Sequence, residues 1–246
     1  MYKTGVETKQ HILDSARELF YENGFKNTSV SRICEKAETM PGTFTYHYPK
    51  KNDLLKDIYS DYMHRVIVFV DSKKQFEHPA ERHLHVLAVY YTHLYTDPKI
   101  MSFHKEVLQI ASMNHWFHNA RKLIASYSGE GNLRSDDPNF NLYVKADNAV
   151  RRELNLNFIE SGDHSLGAIR KLLGEIYTIN AKLFDVGLEL TEHYLTEAFA
   201  FAEEVLEEDL SLLAATENTQ NRKNFLAEVF FFIQPSAGLC GYNLSS

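Results

Sequence analysis

Apolar residues recur at every third or fourth position along almost the whole chain, whereas the strict alternation typical of a half-buried strand is scarce. The first such stretch covers residues 6–22. Its apolar stripe comprises Ile12, Leu13, Ala16, Leu19 and Phe20. This spacing collects side chains on one face of a helix and does not suit a sheet. We therefore predict an all-α protein.

Three short helices are predicted close together near the N-terminus. The first ends at Gly24, because glycine readily adopts the left-handed backbone that closes a helix. The second covers residues 29–37 and starts after hydroxyl residues that can cap it. Pro41 suits the first turn of a third helix over residues 41–48. Because the last two helices are joined by a short turn, they form a helix-turn-helix, whose second member enters the DNA major groove.

The third helix carries side chains suited to that role. Gly42 lets the backbone approach a phosphate. Thr43 and Thr45 can hydrogen-bond to base edges or phosphates, and their methyl groups suit a thymine methyl. Tyr46 and His47 add aromatic rings with polar tips. This set predicts a base-reading surface.

Charge is distributed unevenly between the two ends of the chain. The net charge is −7, which by itself argues against a nucleic-acid partner. Residues 1–56, however, hold nine Lys and Arg against seven Asp and Glu, while the remainder holds 17 against 26. Lys50 and Lys51 add positive charge next to the third helix. Only the N-terminal part is therefore expected to approach phosphate.

Two stretches resemble the N-terminal signature of the TetR/AcrR family of helix-turn-helix regulators. They read TSVSRICEKA from Thr28 to Ala37 and GTFTYHYPKKNDLL from Gly42 to Leu55. The apolar pattern of the first helix agrees with that family as well. Beyond Leu55 the chain resembles the family only in being helical.

Two positions depart from the family pattern. The family usually has glycine in the turn where this chain has Glu38, and tyrosine where it has Thr45. Glu38 adds a negative charge near DNA, and Thr45 changes the contact to the bases. Both departures affect the operator sequence more than the fold.

The resemblance implies a homodimeric transcription regulator that binds a palindromic operator in double-stranded DNA. It also implies release of the DNA when a small molecule binds the body. We expect repression, because a dimer on a promoter blocks polymerase access, and activation is the alternative. By resemblance, the contacts to bases and phosphates fall on Thr28, Ser29, Gly42, Thr43, Thr45, Tyr46, His47 and Lys51.

The chain is expected to divide into a DNA-binding head over residues 1–50 and a body for ligand binding and dimerisation over residues 51–246. Aromatic residues of the body are candidates to line an effector cavity, and they favour a mostly apolar effector. These residues are Tyr91, Tyr95, Phe103, Trp116, Phe117 and Tyr127. The alternative is that the same aromatic stripe is simply core.

Two helices of the body, near residues 165–185 and 191–209, each carry a long apolar stripe. Ala198 and Ala202 are small enough to allow close helix packing. We expect these helices to form a four-helix interface between two subunits, as in the family. The alternative is that both stripes face the core of their own chain.

Several classes of protein fit the sequence poorly. Cys34 and Cys240 are too far apart in the sequence to suggest a disulfide framework, and a reducing cytoplasm fits them best. No apolar run approaches the roughly 20 residues that cross a bilayer, so a soluble protein is expected. His115 and His118 could share a helix face, but no acidic residue completes a known metal site. We expect no metal, cofactor or catalytic residue.

Two other functions remain open from the sequence. The first is a helical enzyme or ligand carrier without a DNA role, which would use the histidines and aromatic residues. The second is a helix-turn-helix protein that acts mainly through a protein partner. It would bind DNA but respond to no small molecule.

Overall fold

The computed structural model describes residues 4–110, 138–184 and 189–214 of the chain. Within these ranges every regular element is a helix, which confirms the prediction of an all-α protein. The sequence also predicts a helix over residues 114–128, a turn-rich loop over 129–140, an apolar segment over 225–233 and an irregular tail after Pro235. All of these except the end of the loop lie outside the described residues.

The helices of the described ranges include the five that the sequence analysis predicts. Their bounds agree closely, except at the C-terminal end of the last helix. In chain order the helices of the described ranges are α1 Gly5–Asn23, α2 Val30–Lys36, α3 Pro41–His47, α4 Lys51–Lys73, α5 Pro79–Thr96, α6 Pro98–Leu108, α7 Phe140–Ser161, α8 Leu166–Phe184 and α9 Glu189–Glu204.

Local chemistry sets both ends of α1. The Thr4 hydroxyl accepts a hydrogen bond from the Glu7 N–H at 3.3 Å, and the Glu7 carboxylate accepts one from the Thr4 N–H at 2.7 Å. This reciprocal pair satisfies N–H groups that lack a partner within the helix. Gly24 ends α1 with a φ of 79°. A side chain is strained at this φ, and a Cβ atom there would also lie 3.1 Å from the Glu106 carboxylate, so glycine is favoured.

The turn between α2 and α3 contains a left-handed residue. Ser29 caps α2 by accepting a hydrogen bond from the Arg32 N–H at 3.2 Å. After α2, Glu38 adopts a φ of 49° and is the one non-glycine residue with a positive φ in the described ranges. That conformation costs a residue with a side chain roughly 1–2 kcal/mol. Glu38 is also the position where the family resemblance expects glycine.

One apolar core runs from the first three helices into the body. Ile12 and Phe44 belong to it, and α4 continues it. A buried ion pair adds a polar link, because the fully buried Arg17 lies 2.8 Å from Asp14 and 2.8 Å from Asp61. The first of these carboxylates is on α1 and the second on α4. Helix α4 is therefore held to α1 by charge as well as by apolar packing.

In the body, α5 packs against α4, α6, α8 and α9, while α7 packs against α6 and α8. The predicted helix over residues 191–209 ends earlier, at Glu204. The chain then turns, and the buried Val205 and Leu210 fold back onto the core. Apolar residues therefore continue past the end of the helix, which explains why the spacing overestimated its length.

No helix in these ranges is both long enough and apolar enough to span a lipid bilayer.

Candidate nucleic-acid interface

Two buried aromatic residues anchor α3 to the head. Phe44 and Tyr48 are 1% and 2% exposed, and their ring centroids lie 6.0 Å apart. The Tyr48 hydroxyl donates a hydrogen bond to the Asp57 carboxylate of α4 at 3.0 Å. Because these anchors lie on one side of α3, its rotation about its own axis is fixed and the opposite side faces outward.

The outward side of α3 brings together the residues that the sequence selects there. Gly42, Thr45 and Tyr46 are exposed, whereas Thr43 and His47 are half-buried. A Cβ atom added at Gly42 would meet nothing within 4 Å, so the backbone is open to a close partner at this point. The Tyr46 side chain is 81% exposed and stands edge-on to the His47 ring.

Hydrogen bonds within the head limit what two of these groups can do. The Thr45 hydroxyl donates to the Pro41 carbonyl at 2.9 Å, which leaves its oxygen as an acceptor on an exposed side chain. Burial lowers the pKa of His47, and the nearby positive charge of Lys9 lowers it further. The His47 ring is therefore neutral near pH 7 and adds no positive charge to this surface.

Two predicted contact residues have partners inside the protein. Thr28 is fully buried, and its hydroxyl lies within hydrogen-bond distance of the Leu19 and Gly24 carbonyls. It thereby satisfies carbonyl groups at the end of α1 that lack helical partners. In this structure the Thr28 side chain is not on the surface that α3 presents.

Lys51, the other such residue, begins α4. Its ammonium donates to the Phe25 and Thr28 carbonyls at 2.7 and 2.8 Å and lies 4.1 Å from the centre of the Phe25 ring. Burial lowers the pKa of Lys51, and the negative charge of Glu106 opposes that effect. The ammonium therefore ties the start of α4 to the turn between α1 and α2.

Ser29 remains on the surface at the start of α2, where its oxygen accepts the capping bond and its O–H can still donate. The structure adds Met40 and Arg32, which were not predicted from the sequence, beside the expected Lys50. Met40 immediately precedes α3, is 73% exposed and makes no side-chain cap. Arg32 on α2 and Lys50 before α4 are exposed on either side.

The family described as "Bacterial regulatory proteins, tetR family" matches this chain over residues 12–58. This chain therefore carries, over residues 12–58, a domain that matches this family. The match covers α2 and α3 and ends inside α4.

Two curated relatives match this chain over stretches of similar length. The HTH-type transcriptional regulator UidR of Escherichia coli K12 is 41% identical over 51 residues, which are 21% of this chain and 26% of UidR. The HTH-type transcriptional regulator AcrR of Shigella flexneri is 40% identical over 53 residues, which are 22% of this chain and 25% of AcrR. The matched stretch thus spans about a quarter of each relative.

Beyond the head, the likeness to known proteins is one of fold. The solved structure of RolR in complex with resorcinol aligns with 79% of this chain and 92% of its own, at a TM-score of 0.50 and 18% sequence identity. The chain therefore shares the overall helical fold of that structure. At 18% sequence identity the likeness concerns the fold, and resorcinol is the ligand of RolR in that complex.

The TetR-family head contacts the body through α6. The Glu106 carboxylate accepts a hydrogen bond from the Lys26 backbone N–H at 2.8 Å, and the Lys26 ammonium donates to the Gln109 side chain at 2.8 Å. Beside them, the Phe20 and Phe103 rings stack with centroids 5.5 Å apart. A displacement of α6 would therefore pull directly on the turn that leads into α2.

Of the predicted effector residues, Trp116, Phe117 and Tyr127 lie outside the described ranges. Phe103 packs on the head, as its stacking with Phe20 shows. Tyr91 and Tyr95 stack 5.9 Å apart in the body. All three described residues are buried, at 1–5% exposure.

Tyr91 and Tyr95 of α5 meet polar side chains of α7. Arg151 hydrogen-bonds to Tyr91 and forms an ion pair with the buried Asp147 at 3.2 Å. The Tyr95 hydroxyl donates to the Asn155 side chain. The two tyrosines therefore belong to a buried polar cluster between α5 and α7.

No group of three or more His, Cys, Asp or Glu residues is placed to hold a metal ion in the part of the chain that the structure describes.

Proposed function

We propose that this protein is a transcriptional repressor that binds a palindromic operator as a homodimer and leaves it when a small molecule binds the body. The proposal rests on one observation above all. Within a TetR-family domain, α3 is fixed by two buried aromatic residues and presents Gly42, Thr45 and Tyr46 to the outside. The names of UidR and AcrR as transcriptional regulators support the same function.

The division into head and body is part of this proposal. We place the DNA-binding head over residues 1–50 and the ligand-binding and dimerisation body over residues 51–246. The start of α4 at Lys51 supports this boundary. The shared apolar core and the contact of α6 with Lys26 make the two parts mechanically dependent on each other.

Release follows from the geometry of a dimer on DNA. Two recognition helices read successive major grooves when they lie about one helical turn apart, roughly 34 Å. An effector that prefers another spacing lowers the operator affinity in proportion to its preference for that state. The contacts of Glu106 and Gln109 with Lys26 provide the route from the body to the head.

The buried cluster between α5 and α7 changes our expectation about the effector. The aromatic rings alone favoured a mostly apolar effector. Tyr91, however, is hydrogen-bonded to the charged Arg151, so its surroundings are partly polar. In addition, the buried polar atoms Thr92 Oγ1, His93 Nε2 and Asn148 Oδ1 find no partner among the described residues. Because unpaired buried polar atoms are costly, we propose an effector with hydroxyl or carboxylate groups as well as an apolar part.

The proposed dimer contact also needs revision. Ala198, Phe199 and Ala202 are at most 1% exposed within a single chain, where α9 packs against α5. The apolar stripe of α9 therefore faces the core of its own chain, as the alternative interpretation had it. An aspartate at Phe199 would disrupt the fold rather than an interface.

The outer face of α8 and α9 remains available for dimerisation. It forms a shallow groove of about 470 Å³, and the Arg170 guanidinium donates across it to the Thr196 hydroxyl at 2.8 Å. Gly167 and Gly174 place no side chains on the α8 side of this groove, so another helix can approach α8 closely. We propose this face as the contact between subunits.

DNA binding is tested by fluorescence anisotropy with the DNA that flanks the protein's own gene, in the presence of competitor DNA and at several salt concentrations. We expect tight, competitor-resistant binding to a palindromic site, which weakens steeply with salt as counterions are released. The Thr43→Ala, Tyr46→Ala double variant should lose specific binding while circular dichroism and the dimer remain unchanged.

A matched control removes the same two residue types away from α3. Tyr21 on α1 and Thr96 at the end of α5 are both exposed, so the Tyr21→Ala, Thr96→Ala double variant should bind like the wild type. Wild-type affinity in the α3 variant would refute the assignment of the head. If the wild-type protein binds only as weakly as it binds random DNA, a selection from genomic DNA fragments decides between a distant operator and no operator.

A further inference from the structure

The recognition helix α3 lacks every residue type that reads a base through paired hydrogen bonds. Arg and Lys read guanine, Asn and Gln read adenine, and Asp and Glu accept from cytosine. The seven residues of α3 are Pro, Gly, Thr, Phe, Thr, Tyr and His. Sequence recognition by this helix is therefore limited to single hydrogen bonds, such as that of the Thr43 hydroxyl, and to apolar contacts with the bases.

The surface around α3 is instead unusually apolar. Met40 and Tyr46, at 73% and 81% exposure, are the most exposed large hydrophobic side chains among the described residues. They stand at the start and near the end of the same short helix. When a partner covers apolar groups that are this exposed, the free energy of the complex is lowered.

Thr45 adds to this apolar character. Its hydroxyl proton is used by the Pro41 carbonyl at 2.9 Å, so the side chain can present its methyl group but cannot donate to a base. Gly42 leaves open space above the helix, which allows the duplex to approach closely. Between Met40 and Tyr46 the surface is therefore both accessible and short of donors.

We propose, on the basis of the DNA-binding function proposed above, that α3 reads its half-site chiefly through the C5-methyl groups of thymines. Met40, the Thr45 methyl group and the Tyr46 ring make these contacts. Thymine is the one standard base with an apolar group in the major groove. The exposed Arg32 and Lys50 beside α3 contact phosphates, which position the protein without reading sequence.

The experiment begins with a duplex selected from a random library by the wild-type protein. Each thymine of that duplex is then replaced, one at a time, by deoxyuridine, which lacks only the methyl group. Binding is measured by anisotropy at one salt concentration. We expect a loss of about fourfold at each contacted thymine, since burying a methyl-sized group contributes about 0.8 kcal/mol and 1.4 kcal/mol is tenfold.

Variants of Met40 assign one of these methyl groups. Met40→Ala should bind the thymine duplex about fourfold more weakly. It should then lose nothing more from deoxyuridine at the position that Met40 contacts, although the other thymines still matter. Met40→Leu keeps an apolar side chain and should retain the sensitivity. Val68→Ala, which changes a 52% exposed residue of α4, should behave as the wild type.

Four results would count against the inference. Deoxyuridine tolerated at every position, or selected half-sites without thymine opposite α3, would overturn methyl reading while leaving the DNA-binding function intact. Equal sensitivity of Met40→Ala and the wild type at every thymine would remove Met40 from the reading surface. If no sequence is enriched at all, the proposed function itself fails, and the inference fails with it.

Discussion

Glu38 occupies a backbone conformation that suits glycine, and its exposed carboxylate lies in the turn that leads to α3. Replacing it with glycine removes a penalty of roughly 1–2 kcal/mol, while the greater freedom of unfolded glycine offsets roughly 0.5–1 kcal/mol of that gain. We expect Glu38→Gly to raise the free energy of unfolding by about 0.5 kcal/mol or slightly more, measured by urea denaturation.

Glu35→Gly is the matched control, because it makes the same chemical change at an exposed position inside α2. Glycine in a helix interior should lower the free energy of unfolding by about 1 kcal/mol. Both variants remove one negative charge, so their difference reports the backbone. If the two variants lose the same free energy of unfolding, the positive φ of Glu38 does not strain the fold.

The sequence identified the residues near α3 better than it identified their roles. The motif placed Gly42 and Tyr46 correctly on one helix, because helix periodicity is local. The motif could not reveal that the Lys51 ammonium donates to the Phe25 and Thr28 carbonyls, or that Thr28 is buried. Both facts depend on how α1 and α4 pack. Met40 was missed because an apolar residue has no pattern that marks it as exposed.

Among whole elements, α6 is the one that links the body to the head. The Glu106 carboxylate of α6 accepts the Lys26 N–H at 2.8 Å, and such charge-assisted bonds contribute about 1.5–3 kcal/mol. In Glu106→Ala we expect the Lys26 amide to exchange with solvent about tenfold faster or more, measured by hydrogen exchange and NMR.

Glu160→Ala controls for the loss of a carboxylate beside α6. Glu160 of α7 forms an ion pair with Lys105 of α6 at 3.2 Å but does not carry the bond to Lys26. Its removal should leave the Lys26 amide as protected as in the wild type. If Glu106→Ala also left this protection unchanged, the contact of α6 with the head would not be a restraint in solution.

Helix ends illustrate what an element's sequence can and cannot predict. The C-terminal end of α1 was predictable, because the left-handed backbone of Gly24 ends the helix without help from tertiary contacts. The end of α9 at Glu204 was not, because Val205 and Leu210 are apolar for a tertiary reason, namely that the following turn packs onto the core. An apolar stripe also does not tell whether it faces its own chain or a partner, as the burial of Phe199 demonstrates.

For the molecule as a whole, buried histidines make stability dependent on pH. Burial lowers the pKa of His104 to about 3, from an ordinary value of 6.5, and the ring shares a 2.6 Å hydrogen bond with Tyr59. Above pH 6.5 both the folded and unfolded states are neutral at this ring, so its contribution to stability is complete. Between pH 6.5 and 3 the unfolded state binds the proton more readily, so acid destabilises the fold.

His104→Asn removes this titration and retains a polar group. Between pH 7 and 5 the wild-type free energy of unfolding should therefore fall by about 2 kcal/mol more than that of the variant, in urea titrations at both values. His193→Asn changes a side chain that is 68% exposed and should follow the wild type. An equal fall in His104→Asn would show that this ring is not a source of acid sensitivity.

The proposed dimer face can be tested at a position where the single chain tolerates a large side chain. Gly167 is exposed, and a Cβ atom there would come no closer than 3.9 Å to any neighbour, the Ser165 hydroxyl. Gly167→Phe should therefore fold normally but obstruct the groove between α8 and α9. We expect a dimer for the wild type and a monomer for the variant in light scattering, with weaker operator binding because only one half-site is read at a time.

Glu153→Phe places the same ring on α7, at a side chain that is 64% exposed, and should remain dimeric. This control separates obstruction of the groove from a general effect of an exposed aromatic ring. A dimeric Gly167→Phe would move the contact away from α8 and α9. A monomeric wild type would be more serious, because a palindromic operator could then not be read by one molecule with a single recognition helix.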